Sequence, residues 1–101
     1  MGSRLELHEE LVNILGSRYV YFQPPETIKM NYPAIVYARD SIDNDFANDG
    51  VYRQTRSYTI TVIDPDPDSE IVDKISMMKS CRHDRHYKSD NLNHDVFIIY
   101  Y

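Results

Sequence analysis

Residues 51–81, VYRQTRSYTITVIDPDPDSEIVDKISMMKSC, decide the fold of this chain. In the first half, Tyr58, Ile60 and Val62 alternate with polar residues. A period of two is typical of a strand with one buried face, because successive side chains point to opposite sides of a sheet. Residues 64–67, Asp-Pro-Asp-Pro, should end that strand, since proline cannot donate a sheet hydrogen bond.

The same proline-rich step is expected to start a helix. Asp66 suits the N-cap and Pro67 the first helical position. The apolar stripe predicted for this helix consists of Ile71, Val72, Ile75 and Met78. A helix that returns over the strand before it is typical of an α+β domain.

The rest of the chain supplies one more helix and three more apolar strands. Residues 1–15 predict an amphipathic helix with Ser3 and Glu6 as a capping box and Gly16 at its C-cap. Strands are predicted at residues 18–22, 32–39 and 96–101, and the polar stretch 82–95 is interpreted mainly as a solvated loop. The predicted order is α-β-β-β-α-(β)-β: one α+β domain, residues 1–101, with a small mixed or antiparallel sheet packed against two helices.

Composition limits the function. The chain has 101 residues and a net charge of −5, which argues against a general nucleic-acid binder, since such proteins need a basic face. The single cysteine excludes an internal disulfide and fits a reducing compartment. We find neither a signal peptide nor an apolar run of the roughly 20 residues that a membrane span needs, so we expect a soluble product made in the cytoplasm.

Residues 40–50, DSIDNDFANDG, are rich in turn formers and acids and separate two predicted strands. They predict a long hairpin connection, with Gly50 allowing a positive φ. Ile42 and Phe46 within it are candidate contacts to another subunit. The acids do not fit the EF-hand calcium template, since Ala47 stands where an acidic or amide ligand is required.

A candidate metal or catalytic cluster comprises Cys81, His83, His86 and His94. One cysteine and scattered histidines match none of the established zinc spacings. Ser57, His83 and Asp84 supply the three residue types of a catalytic triad. Ser57, however, lies in the predicted strand of alternating polar and apolar residues and not on a nucleophile elbow. We therefore predict no catalytic residue, metal or cofactor, and no enzyme; a small metal-binding enzyme or regulator built on the cluster is the alternative.

The chain also resembles a known family. The residues that carry the resemblance are Gln23-Pro24-Pro25, Tyr32-Pro-Ala-Ile-Val-Tyr37, Tyr58-Thr-Ile-Thr-Val-Ile63 and Pro67-Asp68-Ser69, in this order between an N-terminal helix and a closing strand. Nearly the whole chain is similar to the tail-terminator proteins of long-tailed bacteriophages, also called tail-completion or head–tail joining proteins.

The resemblance implies a virion structural protein of the tail and neck, made in the host cytoplasm. A homohexameric ring would cap the tail tube, end its polymerisation and join the tail to the head connector, with phage DNA passing through the lumen unbound. The partners implied are further copies of the chain, the tail-tube protein and the head-completion or connector protein. Candidate subunit or tube contacts are Ile42, Asp43, Asp45, Phe46, Asp49, Tyr52, Arg53 and Arg56. A further alternative is an adaptor domain that binds a peptide at a sheet edge.

Overall fold

A computed structural model describes residues 3–25, 28–47 and 50–101, with backbone alone for 43–47 and 50–54. Two helices and five strands form one α+β unit, which confirms the fold class predicted from the sequence. The elements are α1 (Arg4–Leu15), β1 (Val20–Phe22), β2 (Ala34–Ala47), β3 (Gly50–Asp64), α2 (Glu70–Ser76), β4 (Cys81–Ser89) and β5 (Leu92–Tyr100). No helix within the described ranges is long and apolar enough to cross a membrane.

The five strands form one mixed sheet in the order β1-β2-β3-β5-β4. β1 runs parallel to β2, and the other three neighbouring pairs are antiparallel. The C-terminal strand β5 lies between β3 and β4, as its apolar sequence requires, because an exposed strand of that composition would aggregate. β4 is therefore the edge strand on one side of the sheet, and the three-residue β1 is the edge strand on the other.

The core lies between the sheet and the two helices. Tyr58, Ile60 and Val62 of β3 are buried on the helix side, which confirms the face predicted by their alternation. Their neighbours across the sheet, including Tyr37 of β2 and Phe97 of β5, complete that apolar face. The helices contribute three fully buried side chains, those of Leu7, Leu11 and Ile75.

Helix α1 has the caps that its sequence predicts, Ser3 and Gly16, although it begins at Arg4 and not at the predicted first residue. The Ser3 hydroxyl accepts a hydrogen bond from the Glu6 backbone N–H at 3.2 Å, which satisfies one of the free donors of the first turn. Gly16 adopts φ 78°, and its N–H donates to the Val12 carbonyl at 2.9 Å. Glycine suits this left-handed position because it has no Cβ to clash with the following carbonyl.

Helix α2 begins later than the sequence predicts. Its N-cap is Ser69, whose hydroxyl accepts from the Ile71 N–H at 3.2 Å, so the assignment of Asp66 as N-cap was wrong. Asp64 and Asp66 instead make consecutive turns, each carboxylate accepting from the backbone N–H two residues on, at 2.8 and 2.9 Å. Such local bonds compete with a helical start, and here they delay it.

The polar residues 82–95 do not form the predicted solvated loop. They belong to the antiparallel hairpin of β4 and β5, which are joined by Asp90 and Asn91 with φ of 52° and 64°. Two successive residues with positive φ are the signature of a type I′ turn, the turn whose twist matches that of paired strands. Apart from the half-buried Cys81, every residue of β4 is exposed, so the prediction of a solvated surface holds although that of a loop does not.

Candidate functional site

The most distinctive feature is an arm formed by the distal halves of β2 and β3. These strands pair from Ala34 and Ile63 to Ala47 and Gly50. β1 pairs with only three residues of β2, at 35–37, and β5 pairs with β3 only at 57–64. Residues 42–47 and 50–56 therefore extend past the sheet as a two-stranded ribbon, and the molecule measures 52 × 27 × 23 Å. The long connecting loop predicted for residues 40–50 was wrong, because the backbone continues as strand through Ala47.

The arm brings together most of the residues predicted as contacts. The pairing places Ile42 opposite Arg56 and Asp45 opposite Arg53. Ile42 is 38% exposed, a high value for an isoleucine side chain, and Arg56 is also exposed. The remaining predicted contacts on the described arm backbone are Asp43, Phe46 and Tyr52, whereas Asp49 lies outside the described residues.

A buried polar cluster fixes the base of the arm. The Ser57 side chain is almost fully buried, and its hydroxyl lies 2.7 Å from that of Ser41. The same Ser57 hydroxyl donates to the Asp40 carboxylate at 3.4 Å. Asp40 is the extra residue of a β-bulge, since the register shifts between Arg39 and Ser41. A bulge bends its strand, so this cluster sets the direction in which the arm leaves the sheet.

The same contacts settle the geometry of the Ser57–His83–Asp84 triad considered above. Ser57 bonds to Asp40 and Ser41, whereas the His83 ring bonds to Asp95. The three residues are not assembled into a nucleophile, base and orienting acid, which a triad requires within hydrogen-bond distance.

A shallow pocket at the foot of the arm is lined by three arginines: Arg4 from α1, Arg39 from β2 and Arg56 from β3. Arg4 lies over the Phe22 ring, with its guanidinium carbon 4.4 Å from the ring centroid, and donates to the Tyr37 hydroxyl at 3.2 Å. This pocket could not be predicted from the sequence, because its arginines come together only through strand register and helix packing.

The Tyr37 hydroxyl joins the first turns of α1 to the sheet. His8 Nδ1 lies 2.7 Å from it. Arginine can only donate, so the tyrosine oxygen accepts from Arg4 and its O–H is available to donate to the imidazole. Burial raises the pKa of the Tyr37 phenol, and the bond from Arg4 opposes that rise in part.

The edge strand β4 carries the residues of the candidate metal cluster, and most of them have other partners. His83 Nε2 donates to the Asp95 carboxylate at 3.1 Å, and His86 Nε2 donates to the Asn93 amide oxygen at 3.2 Å. The His94 ring stacks on Tyr87, with centroids 4.7 Å apart. Within the described part of the chain, no three His, Cys, Asp or Glu side chains are grouped so that they could hold a metal ion.

Cys81 begins β4 and lies opposite Ile99 on the helix side of the sheet. It is half-buried, and burial raises the pKa of its thiol. A raised pKa lowers the thiolate fraction at neutral pH, and the thiolate is the form that binds metals and attacks electrophiles.

β4 is also strongly basic for a protein that is acidic as a whole. Arg82, Arg85 and Lys88 are exposed along it, against the single acid Asp84. The closest approach of Arg82 to Asp84 is 3.9 Å between two exposed groups, which contributes little to stability. Most of the positive charge on this edge is therefore available to a partner.

Comparison with known proteins gave no match: no family model, curated protein or solved structure is significantly similar to this chain.

Proposed function

We propose that this chain is a structural subunit of a bacteriophage virion. Copies of it would form a homohexameric ring at the head-proximal end of the tail tube, end the growth of the tube and join the tail to the head connector. Its partners would be other copies of itself, the tail-tube protein and the connector. In this proposal the chain performs no reaction, and phage DNA passes through the ring without specific binding.

The observation that carries the proposal is the arm. Residues 42–47 and 50–56 continue as a two-stranded ribbon beyond the part of β2 and β3 that pairs with the rest of the five-stranded sheet, and the core of the chain does not require this extension. A projecting hairpin with open edges can reach a neighbouring subunit, where its exposed N–H and C=O groups find partners. A ring needs such head-to-tail contacts, because each copy must present two different surfaces.

Charge agrees with a ring around DNA. The net charge of −5 disfavours adhesion of phosphate backbones, so DNA could pass through a lumen lined by such subunits. The sequence resemblance to tail-terminator proteins supports the same assignment, through the residues quoted above.

The proposal is tested by deleting the gene from the phage genome that carries it and imaging the particles by electron microscopy. We expect filled heads without tails, together with free tails of irregular and excessive length, and recovery of joined virions when the gene is supplied in trans. Antibody labelling of normal virions should place the chain at the head–tail junction. Joined virions with tails of normal length in the deletion strain would contradict the proposal.

A second candidate function, a peptide-binding adaptor, is favoured by the open edge of β4. An extended peptide could add to this edge as a further strand, and its acidic side chains would complement Arg82, Arg85 and Lys88. The deletion experiment separates the two functions, because loss of an adaptor would leave tail length and head joining unchanged.

A further inference from the structure

Four stretches of strand have an open edge among the described residues: β1, β4, the arm part of β2 and the arm part of β3 at residues 50–55. The two longest of these edges carry opposite charge. One is the outer edge of β4, Cys81–Ser89. The other is the outer edge of β2 along the arm, residues 40–47, beyond the stretch that β1 covers. The Arg39 N–H is already taken, since it donates to the Gln23 side chain at 3.3 Å, so the open edge begins after Arg39.

The β2 edge is acidic and the β4 edge is basic. Residues 40–47 include Asp40, Asp43 and Asp45 and no lysine or arginine. β4 has three lysines and arginines against one aspartate, and it also carries His83 and His86. The two edges are also similar in length, with eight positions in residues 40–47 and nine in β4.

We propose that the β2 edge of the arm of one copy pairs with the β4 edge of the next copy, so that the sheet continues from subunit to subunit. The occupant of each edge is therefore a second copy of this chain. The inference rests on the proposed function for its ring geometry, and it names the surfaces that the ring would use.

Charge selects this pairing over the pairing of two like edges. Length and charge together favour β4 over the open β3 edge at residues 50–55, which offers six positions and one arginine. Basic residues on an edge strand hinder pairing with an identical edge, because like charges face each other across the new ladder. Two β4 edges would repel in this way, and so would two acidic arm edges. An arm edge against a β4 edge places opposite charges in neighbouring strands, which stabilises the pair.

The geometry of this contact is head-to-tail. Each copy gives one arm and receives one arm, so the two surfaces of the contact differ and the interface is heterologous. Such contacts produce a closed ring when the rotation between copies closes, and a filament when it does not. The bulge at Asp40 is consistent with this role, because it sets the angle at which the acidic edge is presented.

The test uses charge reversal and exchange. One variant carries Asp43→Arg and Asp45→Arg, a second carries Arg82→Glu and Arg85→Glu, and a third combines all four substitutions. The matched controls reverse the same number of charges, and with the same sign change, at exposed positions elsewhere: Glu9→Arg with Asp73→Arg, and Lys29→Glu with Lys74→Glu. Circular dichroism first establishes that each variant is folded, and sedimentation then measures self-association up to about 1 mM protein, the range in which weak contacts become populated.

We expect the wild-type chain to associate, each two-charge reversal on an edge to weaken association by about tenfold or more, and the four-charge exchange to restore it largely. The controls should associate like wild type. Amide hydrogen exchange should show protection gained on association in β4 and in residues 40–47, with α2 unchanged.

Three results would overturn the pairing: no association of the wild-type chain up to about 1 mM, association that neither reversal weakens, or failure of the exchange variant to recover it. None of these results decides the tail function, which the deletion phenotype tests separately. Joined virions with tails of normal length in the deletion strain would contradict the proposed tail function. The pairing of the two edges would still be decided by the sedimentation measurement.

Discussion

At the scale of single residues, the Tyr37 hydroxyl is the main polar link between α1 and the sheet. Replacing Tyr37 with Phe keeps the buried ring and leaves Arg4 and His8 without their shared partner. We expect the free energy of unfolding to fall by about 1–2 kcal/mol, the range for a lost bond at a part-buried site. Urea unfolding measures this change. Tyr100→Phe is the control, since that side chain is 45% exposed, and an equal loss in both variants would contradict the assigned role.

Alkaline pH provides a second measurement at the same residue. Burial raises the pKa of Tyr37, so the folded state holds the phenol proton more tightly than the unfolded state does. The stability that this raised pKa contributes is fully present below the ordinary tyrosine pKa of about 10. It is lost as the pH rises from about 10 through the pKa of Tyr37 in the folded state. We expect the stability of Tyr37→Phe to decline less steeply above pH about 10 than that of the wild type. Tyr101, whose pKa is raised by burial and then by Glu10 and Glu6, still titrates in the variant, so some decline should remain.

Cys81 offers a probe of burial at the start of β4. Burial raises the pKa of its thiol, which lowers the thiolate fraction at neutral pH. We expect iodoacetamide at pH 7 to modify the native chain at least about threefold more slowly than the chain unfolded in urea. Because Cys81 is the only cysteine, the intact mass reports its modification directly. Equal rates in the two states would show that the thiol is not shielded.

At the scale of secondary structure, the β4–β5 hairpin depends on its two-residue turn. Asn91 has φ 64°, which asparagine and glycine adopt easily and β-branched residues do not. We expect Asn91→Val to reduce the free energy of unfolding by about 1–2 kcal/mol and Asn91→Gly to leave it nearly unchanged. Urea unfolding of the two variants tests this. If valine and glycine had the same effect, the turn would not have the positive φ found here.

The same hairpin shows what the sequence could predict and what it could not. The alternation of Tyr58, Ile60 and Val62 predicted β3 because one face of that strand is buried against helices. β4 has no such alternation, since it is an edge strand exposed almost throughout, and its polar residues look like those of a loop. The helix start was misplaced for a related reason: Asp66 and Ser69 are both good caps, and only the folded chain shows that Asp66 is used in a turn.

The sequence predicted that residues 40–50 connect two strands, but it did not predict that the strands continue through most of this segment. Ile42, Phe46 and the nearby acids were selected as contacts because the segment was longer than a turn requires. The strands of this segment could not be predicted, because the segment is rich in Asp and Asn and these residue types are depleted in sheets. The arginine pocket was missed because Arg4 and Arg56 are distant in sequence and meet only after the sheet and α1 have packed.

At the scale of the whole molecule, the core and the arm are separable. The apolar core includes Tyr37 of β2 and Tyr58 of β3. Among the described side chains it includes none from the residues between these two, so the arm contributes little to the core. Its strands pair with each other, and β5 meets β3 only from Ser57 onward. A chain without the arm should therefore fold.

The arm can be removed at a matched pair. Ile42 lies opposite Arg56, so replacing residues 43–55 with Asn-Gly joins the two strands through a type I′ turn while keeping the cluster of Asp40, Ser41 and Ser57. We expect the shortened chain to unfold cooperatively, with a midpoint within about 5 °C of the wild type, a change of about 1 kcal/mol. In the phage complementation assay it should fail to restore joined virions, although it accumulates to the wild-type level.

Loss of cooperative unfolding would show that the arm belongs to the folding unit. Normal virions from a folded shortened chain would show that the assembly contacts lie outside residues 43–55. The combination of an intact fold and a lost junction is expected only if residues 43–55 serve assembly and the rest of the chain serves as the scaffold that carries them.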